Sequence, residues 1–227
     1  MNAIPVAEFT TSLIHLSLKQ FFRCAQLTRE RKDFTAKGLS GPGAFQTTAG
    51  LVSMGAISRL ILKRLEHTDL CFITYDPYLS DDDAIQIGVE KVSLMEVFQR
   101  SQVVSLHTPW LDSTAGMITG DLIESMPSNA TLINTARGAV VNEPELIAAL
   151  EKRTDLTALL DVTWPEPPAA DSKLHTLPNV ILTPHIAGSI DKECHRMGHC
   201  MLEELEHYLS GEELIYEVTE TQTAIIA

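Results

Sequence analysis

Three short segments in the second half of the chain hold residue types suited to acid–base and carboxylate chemistry. They are Ile133-Asn-Thr-Ala-Arg137-Gly-Ala-Val-Val-Asn-Glu143, Leu160-Asp161-Val-Thr-Trp-Pro-Glu166-Pro167 and Thr183-Pro-His185-Ile-Ala-Gly188-Ser189. A guanidinium grips a carboxylate through two parallel hydrogen bonds and helps polarise an adjacent carbonyl. An imidazole can give that carbonyl oxygen a proton during reduction and take it back during oxidation. A neighbouring carboxylate orients the ring and favours its protonated form. Arg137, Glu166 and His185 are therefore the candidate catalytic set. Taken singly, an Arg or a Glu is usually a solvated surface charge, so the information lies in the three together.

A second constellation could hold a nucleotide. Gly50-Leu-Val-Ser53-Met-Gly55-Ala-Ile-Ser58 lies where a first strand turns into a first helix. In a dinucleotide-binding fingerprint the first glycine makes a tight turn, the second lets the backbone approach the pyrophosphate, and the third allows close helix–strand packing. Here only Gly55 matches, with Ser53 and Ser58 at the outer positions. On glycines alone, an ordinary strand–helix turn explains the segment equally well. Asp76 adds weight: it follows Gly55 by 21 residues at the end of a second strand. A carboxylate there accepts hydrogen bonds from ribose hydroxyls and repels a 2′-phosphate, favouring NAD over NADP. Asp76-Pro77 is also turn chemistry in its own right. If the Ser53 position requires positive φ, a serine costs about 1 kcal/mol, which would weaken NAD binding.

The elements that must position these residues alternate regularly. The patterning predicts strands at Thr48–Val52, Leu70–Tyr75, Val103–Leu106, Ala130–Asn134, Leu156–Val162 and Val180–Leu182. Helices are expected at Ala56–Glu66, Ser93–Arg100, Gly120–Met126 and Glu143–Lys152. Six strands with helical crossovers imply an α/β fold with a doubly wound parallel sheet, covered on both faces. Each polar candidate then follows a strand, at the edge where open α/β sheets bind ligands. Two helices flank the core: Val6–Cys24, whose apolar stripe is broad enough to pack on two surfaces, and a C-terminal helix with Cys194, Met197, Met201, Leu205 and Tyr208 at helical spacing. Thr28–Gln46 reads as a loop. His195, His199 and Glu203 have a spacing that could bind metal, but they lie beside the apolar stripe and read as a wet face. No metal site is expected.

With the Tyr75-Asp76-Pro77 turn and Ser105-Leu-His107-Thr-Pro109, these segments resemble the D-isomer-specific 2-hydroxyacid dehydrogenases, a family that includes phosphoglycerate, glycerate and D-lactate dehydrogenases. The resemblance runs from Asn2-Ala3 to about Gly211. It implies a Rossmann-like NAD-binding domain over the whole chain, with a core at about 47–188 and flanking helices at about 5–24 and 190–209. It assigns Arg137 to the substrate carboxylate, and Glu166 and His185 to the proton-handling pair. Hydride would pass directly between nicotinamide and C2 of a small 2-hydroxy or 2-oxo acid. Cofactor contacts carry over to Ala56 and Ile57 after the turn, to Thr135 and Ala136 before the arginine, and to Ala187 and Gly188 after the histidine. Asp161 would meet the nicotinamide amide, and His107 and Thr114 correspond to cofactor-side loop positions. The family's N-terminal substrate domain has no counterpart in this sequence, so impaired turnover is expected. The alternative is a non-catalytic NAD-binding or sensing protein that acts by association. Retention of an acid–base pair favours the enzyme, because a pure binding module needs none. The family also implies a homodimer.

Composition narrows the partners. A net charge of −13, from 17 Lys and Arg against 30 Asp and Glu, argues against nucleic acid, which requires concentrated positive charge. No stretch is long and apolar enough to predict a membrane span. The amino terminus lacks the basic and apolar regions of a secretion signal. Four scattered cysteines without a C-x-x-C fit a reducing, cytoplasmic setting.

Overall fold

The computed structural model describes residues 1–39 and 41–220. Seven strands form one sheet in the order β3-β2-β1-β4-β5-β6-β7. They are β1 Thr48–Val52, β2 Cys71–Tyr75, β3 Glu90–Lys91, β4 Val103–Leu106, β5 Thr131–Asn134, β6 Thr157–Leu160 and β7 Val180–Leu182. Every neighbouring pair is parallel. Parallel strands need covered faces, and β4, β5 and β6 are accordingly buried at every position.

Successive side chains point to opposite faces of a strand, and the core divides on that rule. Val52, Leu106, Leu132 and Leu160 join one cluster with Val97, Leu122 and Leu146. These last come from α5 Leu94–Arg100, α6 Gly120–Glu124 and α7 Glu143–Lys152. Leu51, Val103, Ile133 and Leu159 join the other cluster with Ile14 and Ile61, supplied by α1 Ala3–Leu18 and α3 Ala56–Leu65. The amino-terminal helix is thus a structural cover of the sheet rather than an appendage. The chain reverses its direction of progress between β1 and β4, which places a crevice at their carboxyl ends.

Several sequence-based expectations require correction. The helix expected over Val6–Cys24 is two helices, α1 and α2 Phe21–Arg31. The break falls at Gln20, whose φ is 51°; its buried Nε2 donates to the Asn129 carbonyl at 2.6 Å. The glycine loop helps to end α1, because a Cβ at Gly41 would lie 2.4 Å from the Leu18 carbonyl oxygen. Part of the expected Thr28–Gln46 loop is therefore helical, including a short 3-10 turn at Thr35–Leu39. The buried face of α1 is Pro5, Val6, Ala7, Thr10, Ile14, Ser17 and Leu18. β3 and α4 Asp81–Gln86 add to the expected elements; two residues make no alternation pattern, and the acidic opening of α4 resembles a loop.

The carboxyl-terminal helix α8, Lys192–Ser210, buries Cys200 alone. Met201, Leu205 and Tyr208 of its expected apolar stripe are exposed, as are His195 and His199. No helix among the described residues is long and apolar enough to cross a membrane.

Candidate active site

The residues singled out by type converge on the carboxyl edge of the sheet. Ser53 follows β1, Asp76 follows β2, His107 follows β4, Arg137 follows β5, Asp161 follows β6 and His185 follows β7. Three adjoining cavities run along that edge. One of about 230 Å³ is lined by Asp76, Tyr78 and Thr114. It shares Ser53, Thr108 and Pro109 with a central cavity of about 330 Å³ that Gly55, Ala56, Ile57 and Arg137 also line. The central cavity shares His185 with a third, of about 500 Å³, walled by Asp161, Glu166 and His175.

The turn at the centre is built to receive an anion. α3 begins after Gly55 with no side chain capping its first amides, so those donors and the positive helix end remain for a ligand. A Cβ on Gly55 would meet nothing within 4 Å; glycine there leaves the backbone uncovered toward the cavity. Ser53 adopts φ 75°, the conformation that the fingerprint reserves for glycine. Ser58 sits fully buried and donates its hydroxyl to the Ser53 carbonyl at 2.6 Å, bracing the turn from inside. Asp76 accepts from the amides of Met54 and Tyr78, each at 2.7 Å. Its carboxylate therefore ties the first turn to the second while keeping negative charge on the cavity wall.

The reactive edge is held from beneath by buried polar groups. Asn134 accepts from the Ala136 amide and donates to the Arg137 carbonyl, each at 3.0 Å, which fixes the backbone under Arg137, an exposed residue whose Nη1 donates to the Ala136 carbonyl at 2.8 Å. Asp161, 3% exposed, accepts from the Thr183 hydroxyl at 2.6 Å and from the amides of Ile186 and Ala187 at 2.9 Å each. That web supports His185 in a left-handed conformation, φ 54°. His185 Nδ1 lies 2.6 Å from Glu166 Oε1. The hydrogen bond fixes the ring and leaves Nε2 for another partner. Ala187 and Gly188 line the central cavity below it.

Other expected cofactor residues occupy supporting positions. Thr135 is buried and shares a 2.9 Å hydroxyl contact with Thr10 of α1. Thr114 donates to the Pro109 carbonyl at 2.6 Å and shapes its loop. His107 lines the central cavity, yet neither of its buried ring nitrogens has a hydrogen-bond partner among the described residues. Burial pushes its pKa down to about 3.

Residue types alone did not mark Thr108, Pro109 or Asn2. Thr108 and Pro109 line both the small and the central cavity. Asn2 accepts from the Ser189 amide at 2.7 Å, tying the start of α1 to the loop beyond His185. The Thr-Pro step after a strand was a usable signal; the type of Asn2 did not announce its role, because its partner lies 187 residues away.

A family model described as the NAD-binding domain of D-isomer-specific 2-hydroxyacid dehydrogenases matches residues 11–187. The chain is 30% identical over 214 residues to the D-3-phosphoglycerate dehydrogenase of Archaeoglobus fulgidus, covering 92% of this chain and 40% of that protein. It is 35% identical to the (S)-sulfolactate dehydrogenase of Chromohalobacter salexigens, over 82% of this chain and 60% of the relative. It thus spans about 40% of the length of the phosphoglycerate dehydrogenases it matches. Among solved structures, the D-lactate dehydrogenase of Lactobacillus jensenii with NAD+ superposes with a TM-score of 0.81 at 26% identity, over 96% of this chain and 69% of that one. The apo D-mandelate dehydrogenase of Rhodotorula graminis gives 0.83 at 25% identity, over 96% of this chain and 66% of that chain.

Proposed function

Because the chain belongs to the D-isomer-specific 2-hydroxyacid dehydrogenases, we propose that it serves hydride transfer between NAD and C2 of a small 2-hydroxy or 2-oxo acid. The observation that carries this reading is the His185–Glu166 contact of 2.6 Å, beside a cavity that Arg137 also lines. A binding module without turnover has no use for that pair.

NAD fits the edge as described. The first amides of α3 and the uncovered Gly55 would hold its pyrophosphate, Asp76 would face the ribose hydroxyls, and the wall formed by Ala136, Ala187 and Gly188 would lie toward the nicotinamide. The bound cofactor supplies or accepts the hydride at its nicotinamide ring. Arg137 would bind the substrate carboxylate bidentately and draw electron density from the neighbouring carbonyl. His185 would hold a proton at Nε2 for the carbonyl oxygen in reduction, and receive it from the hydroxyl in oxidation. Glu166, on Nδ1, would keep that ring in orientation and balance its charge. Asp161 acts one layer below as the anchor of the His185 loop, a fuller account of its buried carboxylate than an amide contact alone. We further propose that the working unit is a homodimer.

Titration calorimetry with NAD and NADP tests the cofactor assignment; NAD should bind more tightly because Asp76 repels a 2′-phosphate. Single-turnover oxidation of NADH by glyoxylate or hydroxypyruvate tests the chemistry. Arg137, Glu166 and His185 stand at an open surface in the described chain, so turnover should fall below about 1 per second, the floor of ordinary enzymes. His185→Gln should lower the oxidation rate about a hundredfold or more without changing NAD affinity. Tighter NADP binding, or oxidation indifferent to His185, would overturn the assignment.

A further inference from the structure

Trp110 and Trp164 are the only tryptophans in the chain, and their rings meet with centroids 4.5 Å apart and planes tilted by 59°. Each is about half exposed, at 44% and 53%, so neither is a core residue placed by burial alone. Trp110 lies on the loop after β4 and Trp164 on the loop after β6, with β5 between those strands. The contact therefore spans the loop that presents Arg137.

The loop after β6 also carries Glu166, and its composition leaves it short of anchors. Pro165, Pro167 and Pro168 surround the glutamate, and proline has no backbone N–H to donate. At the start of the loop, the Trp164 amide donates to Glu143 Oε2 at 3.4 Å, and the Thr163 hydroxyl donates to the Pro165 carbonyl at 2.8 Å. From below, the loop rests on the Arg137 segment: a Cβ on Gly138 would lie 2.0 Å from the Thr163 carbonyl carbon. From the β4 side it meets Trp110.

Glu166 and His185 are themselves partly exposed, with side-chain exposures of 40% and 47%. A polar contact between side chains so exposed to solvent holds them together only weakly. A 2.6 Å contact between them therefore depends on how their loops are held. The Asp161 web holds the histidine; the glutamate needs an equivalent on its own loop.

We propose that Trp110 and Trp164 form an aromatic clasp that positions Glu166 against His185. Trp164 is two residues from the glutamate, and the clasp fixes the near end of a segment that prolines leave with few backbone donors. Both tryptophans are positioning residues: they act through Glu166. The inference rests on the reading of the Glu166–His185 pair as the proton-handling unit, but its test needs neither cofactor nor turnover.

Two indoles in contact couple their transitions, so the full chain should show an exciton couplet in far-ultraviolet circular dichroism. Trp110→Ala should abolish that couplet. Acylation by diethyl pyrocarbonate, read at each histidine by mass spectrometry, then reports how firmly Glu166 holds the His185 ring. Glu166→Gln should accelerate acylation of His185 several-fold, and Trp110→Ala should move the rate most of the way toward that value. Trp110→Tyr, which keeps an aromatic face, should restore most of the wild-type rate. His195 and His199, exposed on α8, should react unchanged throughout. Absence of the couplet in the wild-type chain would overturn the clasp. So would a His185 rate that ignores Trp110→Ala or Glu166→Gln, or an equal acceleration at all three histidines. Failure of NADH oxidation with an intact couplet and Glu166-dependent His185 reactivity would instead count against the hydride-transfer reading alone.

Discussion

Ser53 shows where a strained residue exerts its effect. Its φ of 75° belongs to the folded chain itself, so the cost falls on folding rather than on the act of binding NAD. The weakened affinity suggested by the residue type does not follow from strain. Ser53→Gly is accordingly expected to raise stability by about 0.5–1 kcal/mol in urea unfolding, with little change in NAD affinity by calorimetry. His107 makes a second prediction. Its pKa is pushed down to about 3 by burial, whereas the unfolded chain protonates its histidine near the usual value of about 6.5. The unfolded state therefore binds more protons between those limits, and stability must fall as pH drops below about 6.5, by up to about 1.4 kcal/mol per pH unit for this group. Asp155, held at about 2 chiefly by its hydrogen bond from Arg153, adds acid sensitivity only as pH falls through its ordinary value of 3.8. Glu90 and Glu96, lowered chiefly by side-chain hydrogen bonds from Arg100 and Ser93, add acid sensitivity as pH falls below about 5, so the effect between about pH 6.5 and 5 is attributed to His107 by comparing urea midpoints with those of His107→Leu. A parallel pH dependence in the variant would show that another group carries it.

At the level of elements, the reactive edge depends on loops pressed against one another. Gly138 is placed where the β6 loop crosses the β5 loop, and a Cβ there would lie 2.0 Å from the Thr163 backbone. Backbone cannot give way as a flexible side chain can, so the β6 loop would have to lift. Gly138→Ala should cost about 1–3 kcal/mol, the usual range for overpacking, measured as a lower urea midpoint. It should also separate Glu166 from His185 and accelerate acylation of the histidine. Unchanged stability would mean that the loop accommodates the methyl group. By contrast, α5 is locally determined: Ser93 and Glu96 close a reciprocal capping box, visible in the sequence as Ser followed three residues later by Glu.

For the whole molecule, the imbalance lies on α8. Leu202, Leu205 and Leu209 are all more than half exposed, while the helix buries only Cys200. Large exposed apolar surface usually marks an interface. Ala7, Ile14 and Leu18 of α1 are spent on the sheet, so α8 carries the exposed apolar surface on which an association would rest. Leu205→Glu together with Leu209→Glu should shift the proposed homodimer toward monomer in light scattering, with the circular dichroism of the core unchanged. A wild-type chain that remains monomeric across micromolar concentrations would sink the dimer.

The primary structure by itself determined the alternation that makes the sheet, because burial on both faces demands apolar strands and their continuous runs are local. It also marked Arg137, Glu166 and His185, since each stands just after such a run, and parallel strands bring those positions to one edge. Tertiary structure alone decided the rest. The split of α1 from α2 depends on Gln20 reaching Asn129, and the bracing of His185 depends on Asp161 and Asn2 across long stretches of chain. The Trp110–Trp164 contact depends on a strand order that places β5 between β4 and β6. Periodicity reports which face a residue shows; it does not report which distant residue will meet it there.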